Sequence, residues 1–195
     1  MIQVRVHGRG GQGIVTAAEL LSMAAFYDGK YAQAFPTFGS ERMGAPVTAF
    51  CRIDDKPIRS REPISEPDVV LIQDPTLLHQ VDVFGGLNPK GLVLINTART
   101  LEELGLAELC AQHPQMRMYT LPASDIALKH LGRPLANAAM VAGFAAVTGV
   151  ISRQAVEQAI ARRFPGRLGE LNAAVADEAF DWMAAAKEEM AGRSS

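Results

Sequence analysis

Residues 8–13 read Gly8-Arg9-Gly10-Gly11-Gln12-Gly13, between an alternating apolar segment, 2–7, and an Ala/Leu-rich run, 14–25. A strand that passes into a helix through so many glycines makes a β-α turn whose backbone can approach a ligand closely. The unpaired amides of such a turn, with the positive end of the helix dipole, point toward an anion. The first expectation is an α/β chain with a phosphate-bearing ligand at the end of its first strand. A tight turn that holds no ligand is the alternative, and the glycines alone leave both open.

Gly8, Gly10 and Gly13 have the spacing of G-x-G-x-x-G, but a dinucleotide site also needs an Asp or Glu near the end of the second strand. That strand, expected at 31–35, has Gln33 as its polar interior residue, and Asp28 precedes it. An NAD(P)-binding oxidoreductase is therefore a weaker alternative. A nucleoside-triphosphate loop fails, because Ile14 and Val15 follow Gly13 where Lys and Ser/Thr are required.

With 195 residues, 48% of them hydrophobic, the chain suits one domain spanning 1–195. Its 19 basic and 21 acidic residues form no long block, which argues against nucleic acid and a polybasic membrane contact. No apolar run reaches the length of a membrane span and no leader pattern opens the chain, so a cytoplasmic location is expected. Cys51 and Cys110 are too few for a four-thiolate cluster or zinc site, and both suit packing. His7, His79, His113 and His130 lack the spacing that puts two ligands on one helix face, so no metal site is assigned. Nor does a catalytic residue stand out.

Strands are expected at 2–7, 31–35, 47–53, 69–73, 92–96 and 116–121, several of them short apolar runs of the kind buried on both faces. Helical patterns at 13–26, 75–83, 101–111 and 125–131 separate them. This alternation predicts a three-layer α/β/α fold with a doubly wound, mostly parallel sheet. Two extended pieces around Asp54-Asp55, with no helix between them, suggest an antiparallel hairpin and a mixed sheet. From Asn137 onward the pattern is helical, over 137–150, 153–164 with Ser152 as cap, and 168–190. The first of these is almost wholly apolar and should be buried, in the domain or against a partner.

Between the second and third strands runs Phe35-Pro36-Thr37-Phe38-Gly39-Ser40-Glu41-Arg42-Met43-Gly44-Ala45-Pro46, too rich in Gly and Pro for regular structure. In a doubly wound sheet this loop and the glycine turn leave from strand carboxyl ends and can converge on one crevice. Arg9 and Arg42 could meet phosphates there, Phe35 and Phe38 could cover apolar ligand parts, and Glu41 could orient an arginine. A loop buried at a subunit contact is an equal reading.

With both segments, Asp74-Pro75 after the fourth strand and Asn137 opening the late apolar helix, the chain resembles the gamma subunit of 2-oxoacid:acceptor oxidoreductases, the family that includes pyruvate:ferredoxin oxidoreductase. Glu41-Arg42-Met43-Gly44-Ala45-Pro46 is more similar to the pyruvate-type loop than to the Tyr-Gly-x-Glu-x-Arg-Gly-Gly form, and it shifts the family's arginine by one position. The resemblance implies a complex that decarboxylates a 2-oxoacid on thiamine diphosphate and passes electrons through iron–sulfur clusters to ferredoxin or another acceptor, releasing acyl-CoA. Pyruvate is favoured; phenylglyoxylate or another aromatic oxoacid is an alternative. Thiamine diphosphate, magnesium and the clusters would lie on partner alpha, beta and ferredoxin-like delta subunits. This chain would bind coenzyme A through Gly8, Arg9, Gly10, Gly11, Gln12, Gly13, Phe38, Gly39, Glu41 and Arg42, with Asn96, Thr97 and Asn137 adding hydrogen bonds. A structural interface subunit without ligand is the competing reading.

Overall fold

In a computed structural model, which describes residues 1–37 and 42–194, six strands share one sheet. They are β1 (Ile2–Arg9), β2 (Tyr31–Pro36), β3 (Pro46–Asp54), β4 (Val69–Ile72), β5 (Leu92–Asn96) and β6 (Arg117–Leu121). Their order is β2-β3-β1-β4-β5-β6. β1, β4, β5 and β6 run parallel, which sets Val6 beside Leu71, Leu71 beside Leu94 and Leu94 beside Tyr119. β3 runs antiparallel between β1 and β2, with Cys51 aligned to Val4 on one side and Ala34 on the other.

The sheet is mixed, but not through a hairpin at Asp54-Asp55, which is the first correction to the sequence reading. No strand returns after that turn; residues 55–68 are irregular. Pro57, Pro63 and Pro67 lack the N–H groups a ladder needs. β3 pairs backward with β2 instead, across the Gly- and Pro-rich loop that joins them.

Helices cover both faces. They are α1 (Ile14–Tyr27), α2 (Ala107–Gln112), α3 (Ala123–Leu131), α4 (Asn137–Thr148), α5 (Arg153–Arg163) and α6 (Arg167–Arg193). The alternation within β4 shows the division. Val69 and Leu71 face the core built with α1, α3, α4, α5 and α6, whereas Val70 and Ile72 face Leu77, Val83 and Leu104. On this second face the helical expectations shrink. Residues 75–83 give only a single 3-10 turn, Pro75–His79, and the carbonyls of Val83 and Gly85 beyond it accept from Arg5 Nη2 at 3.0 and 2.7 Å. Gly105, at φ 75°, separates 101–104 from α2.

α4 lies inside the fold rather than on a partner. A Cβ at Gly143 would stand 2.9 Å from Leu121 Cδ2, 3.0 Å from Leu94 Cδ2 and 3.3 Å from Met183 Cγ. Gly143→Val should therefore destabilise by about 1–3 kcal/mol through overpacking, read as a lower urea midpoint. An unchanged midpoint would mean that α4 can lift from the sheet. Ser152 caps α5 as expected, accepting from the Ala155 amide at 3.0 Å, and itself donates to Asp28 through its amide and hydroxyl.

Along β1 the residues opposite Val4 and Val6 are polar, and two are nearly enclosed. Arg5 Nε donates to His7 Nε2 at 2.9 Å, and the side chains are 8% and 7% exposed. An accepting Nε2 requires neutral imidazole. Burial, then the Arg5 charge, push the His7 pKa from 6.5 to about 4, against the pull of Asp82. Between those two values the unfolded chain takes a proton that the native chain refuses, so stability falls as pH falls from 6.5 to about 4. The loss should total about 3 kcal/mol. His7→Gln should flatten that part of a stability–pH curve; a slope that persists would assign it to another group.

Candidate functional site

Adjacent parallel strands β1 and β4 send their connections to opposite faces. β1 leads to Ile14 and Ala17 in one core, and β4 leads to Leu77 in the other. A crevice therefore opens at their carboxyl ends, the usual position for a ligand in such sheets. The glycine turn forms one wall.

The second loop clamps that turn. The Gly10 amide donates to the Ala45 carbonyl at 2.9 Å and the Gly44 amide to the Gly10 carbonyl at 3.0 Å, while Gly10 bridges to Met43. A Cβ at Gly10 would meet the Arg42 carbonyl at 2.1 Å, and one at Gly8 would meet Ile14 Cδ1 at 1.9 Å. These two positions need glycine for close approach. Gly11 and Gly13 need it for conformation, at φ 90° and 73°. Gln12 closes the turn from inside, accepting from the Arg9 amide at 2.7 Å and donating from Nε2 to Asp74 Oδ2 at 2.8 Å.

Arg9 donates four hydrogen bonds within the chain. Its Nε reaches Asp74 Oδ2 at 3.1 Å and its Nη1 the Gly44 carbonyl at 3.0 Å. Nη2 donates to Thr76 Oγ1 at 2.8 Å and Gln80 Oε1 at 2.9 Å. The guanidinium thus ties the glycine turn, the second loop and the 3-10 turn together. Arg42 is exposed beside Gly10. Phe38, Gly39 and Glu41 lie outside the described residues. Phe35 turns away from the crevice role and stacks on Phe50, with ring centroids 5.1 Å apart.

α1 begins at this turn with no side-chain cap and no acidic residue in its first turn. The first amides of the helix therefore keep their donors for a ligand. Asn137 sits directly above, its carboxamide 2.6–3.0 Å from a Cβ placed on Gly13. Asn137 Oδ1 and Gln73 Oε1 are buried without a hydrogen-bond partner. Such oxygens ordinarily have one. Gln73 also lines a cavity of about 280 Å³, together with Gln12, Asp74, Asn96, Thr97 and Ser124, among others. Asn96 and Thr97 line it and are hydrogen-bonded within the chain. Asn96 Nδ2 donates to the Gln73 carbonyl and Ser124 Oγ while Oδ1 accepts from the Ser124 amide; Thr97 Oγ1 accepts from the Arg99 amide.

Asp74 and Gln73 are the site residues that sequence reasoning left without a site role. The capping expected of Asp74 is present, from the Thr76 amide at 3.0 Å, but the carboxylate also holds Arg9 and Gln12. Burial opposes its ionisation, yet hydrogen bonds from Thr76 and Gln12 and the charge of Arg9 outweigh it and hold the pKa below 3.8. The polar pair at the end of an apolar strand was the signal. Cys51 is wholly enclosed in the sheet, and burial pushes its thiol up to about 12, which leaves it inert. Among the described residues no three His, Cys, Asp or Glu gather as metal ligands, and no helix is long and apolar enough to cross a membrane.

Comparison with known proteins shows the family and the fold. The family model for pyruvate ferredoxin/flavodoxin oxidoreductase matches residues 3–182. The chain is 51% identical over 181 residues, 93% of its length and 96% of the relative's, to the pyruvate/ketoisovalerate oxidoreductases common subunit gamma of Thermococcus kodakarensis. It matches the crystal structure of pyruvate oxidoreductase subunit PORC from Thermotoga maritima with a TM-score of 0.78 and 33% identity, covering 92% of this chain and 95% of that one. The same fold occurs in the 2-oxoglutarate:ferredoxin oxidoreductase of Magnetococcus marinus, solved with 2-oxoglutarate, coenzyme A and succinyl-CoA bound. There the TM-score is 0.68 at 16% identity, and 96% of this chain covers 31% of the longer one. With its glycine turn, clamping loop and late apolar helix in one crevice, the chain belongs to the pyruvate ferredoxin/flavodoxin oxidoreductase family.

Proposed function

We propose that this chain is the gamma-type subunit of a 2-oxoacid:ferredoxin oxidoreductase complex and that its crevice holds the nucleotide end of coenzyme A. The observation that carries the reading is the uncapped α1 start behind residues 8–13, with the partnerless oxygens of Gln73 and Asn137 beside it. Amides and a helix dipole suit a diphosphate, and the buried carboxamide oxygens suit donors on its sugar or base. Arg42 supplies positive charge at the rim; Arg9 supports the turn. Phe38, Gly39 and Glu41 belong to the same loop and to the same proposal.

The chemistry itself belongs elsewhere. Two cysteines cannot complete a four-thiolate iron–sulfur cluster, and the sequence has no Gly-Asp-Gly followed by a distant Asn to hold the magnesium diphosphate of thiamine, so this reading assigns thiamine diphosphate, magnesium and the clusters to alpha, beta and ferredoxin-like delta partners in the cytoplasm. What this chain does is fix the carrier so that its thiol arm reaches toward the acyl group formed on a partner. A gamma subunit named as common to pyruvate and ketoisovalerate enzymes fits a chain that does not select the oxoacid. Pyruvate remains the favoured substrate on the form of the loop at 41–46.

Calorimetric titration of the assembled complex with coenzyme A, dephospho-coenzyme A and pantetheine tests the reading. Pantetheine, which lacks the nucleotide, should bind at least about a hundredfold more weakly than coenzyme A, a loss of roughly 3 kcal/mol. Equal affinities would place recognition in the thiol arm and leave the glycine turn without a ligand.

A further inference from the structure

β2 forms one edge of the sheet, and all six of its residues are exposed or half-buried. At the opposite edge, β6 buries Met118, Tyr119 and Leu121. Tyr31–Pro36 carries no charged side chain and its one proline stands at the carboxyl end, so the outer row of backbone N–H and C=O groups over residues 31–35 is open to strand addition. Beside it runs a continuous groove. Two cavities of about 700 and 600 Å³ share Ser22, Met23 and Ala32. The far wall is the outer row of α1, Glu19, Ser22, Met23 and Phe26, at i, i+3, i+4 and i+7. Phe26 is 72% exposed and Tyr31 50%, a large apolar display for a helix and strand with nothing over them.

The rim of the groove is basic. Lys30, Arg61 and Arg162 line it and form no ion pair among the described residues, whereas Glu19, the acid present, lies 3.9 Å from Arg163. We propose that the open edge of β2 and this groove receive an extended acidic segment of a sister subunit. The segment adds a strand beside β2, sets alternate apolar side chains against Met23 and Phe26, and meets Lys30, Arg61 and Arg162 with carboxylates. The charge pattern selects a different chain over a second copy of this one. Two copies joined edge to edge would bring the identical basic rims of Lys30, Arg61 and Arg162 together. The inference rests on the subunit reading above but not on the coenzyme A site, which lies at the carboxyl ends of β1 and β4.

A photo-crosslinking residue at Ser22, in the complex assembled from full-length subunits, is expected to join this chain to one sister subunit. Mass spectrometry should map the adduct to an extended stretch containing both acidic and apolar residues. The pair Lys30→Glu and Arg162→Glu should lower the adduct yield about fivefold or more and make the complex dissociate at lower salt. The conservative pair Lys30→Arg and Arg162→Lys should retain the adduct, which separates lost charge from lost fold. Adducts between two copies of this chain, or a yield indifferent to charge reversal, would overturn the proposal. An intact complex with no Ser22 adduct overturns the docking face alone; a chain that purifies with no sister subunit overturns the subunit reading beneath it.

Discussion

Gly11→Asp is expected to weaken coenzyme A binding by the assembled complex roughly a hundredfold, and Gly11→Asn far less. Gly11 stands at φ 90° in the turn before α1, so any side chain there adds strain, which Asn tolerates better than most. A Cβ at Gly11 would stand 2.3 Å from Met43 Sδ, near the free end of an exposed side chain that can swing aside. Both substitutions therefore share the steric cost, and the comparison isolates charge. A carboxylate about 6 Å from a phosphate, at an effective dielectric near 20, is repelled by about 3 kcal/mol, or two orders of magnitude in affinity. The gap between the Asp and Asn variants should narrow as salt rises, because the crevice is open to solvent. Equal affinities for the two at low salt would remove the phosphates from this end of the chain.

The sheet was legible because buried strands announce themselves. Residues 69–72 and 92–95 are short unbroken apolar runs, and burial on both faces is what such runs require. The glycine turn was equally plain, since four glycines between a strand and a helix have few other uses. What local pattern could not decide was which strand β3 joins. Residues 47–53 alternate whether they pair forward across Asp54-Asp55 or backward to β2, and the prolines at 57, 63 and 67 were the sole hint. Arg9 shows the same limit in the site. A cation in a glycine turn reads as an anion ligand, yet the groups that occupy it, Asp74, Thr76 and Gln80, lie 65, 67 and 71 residues further along the chain. Pairing over such distances leaves no trace in spacing.

Asp74→Asn is expected to lower both stability and coenzyme A affinity, because one carboxylate holds three segments of the crevice. Its Oδ2 accepts from Arg9 Nε and Gln12 Nε2, and its Oδ1 from the amide and hydroxyl of Thr76. An amide of the same shape offers one oxygen and one nitrogen, so donors confront its NH₂ on one side or the other and Arg9 loses its counter-charge. With Asp74 largely enclosed, at 13% side-chain exposure, the cost should be about 2 kcal/mol of stability. Affinity should fall about tenfold as the turn loosens around the α1 amides. The pH dependence separates this role from that of His7. A carboxylate held below 3.8 stabilises fully above that value and loses its contribution only as pH falls through its depressed native pKa. Asp74→Asn should thus lower the stability curve evenly between pH 5 and 8, roughly the span over which the native carboxylate stays ionised, whereas His7→Gln should change its slope. Urea unfolding across that range, paired with titration at neutral pH, measures both. A variant with wild-type affinity and an unshifted curve would reduce Asp74 to the cap of one 3-10 turn.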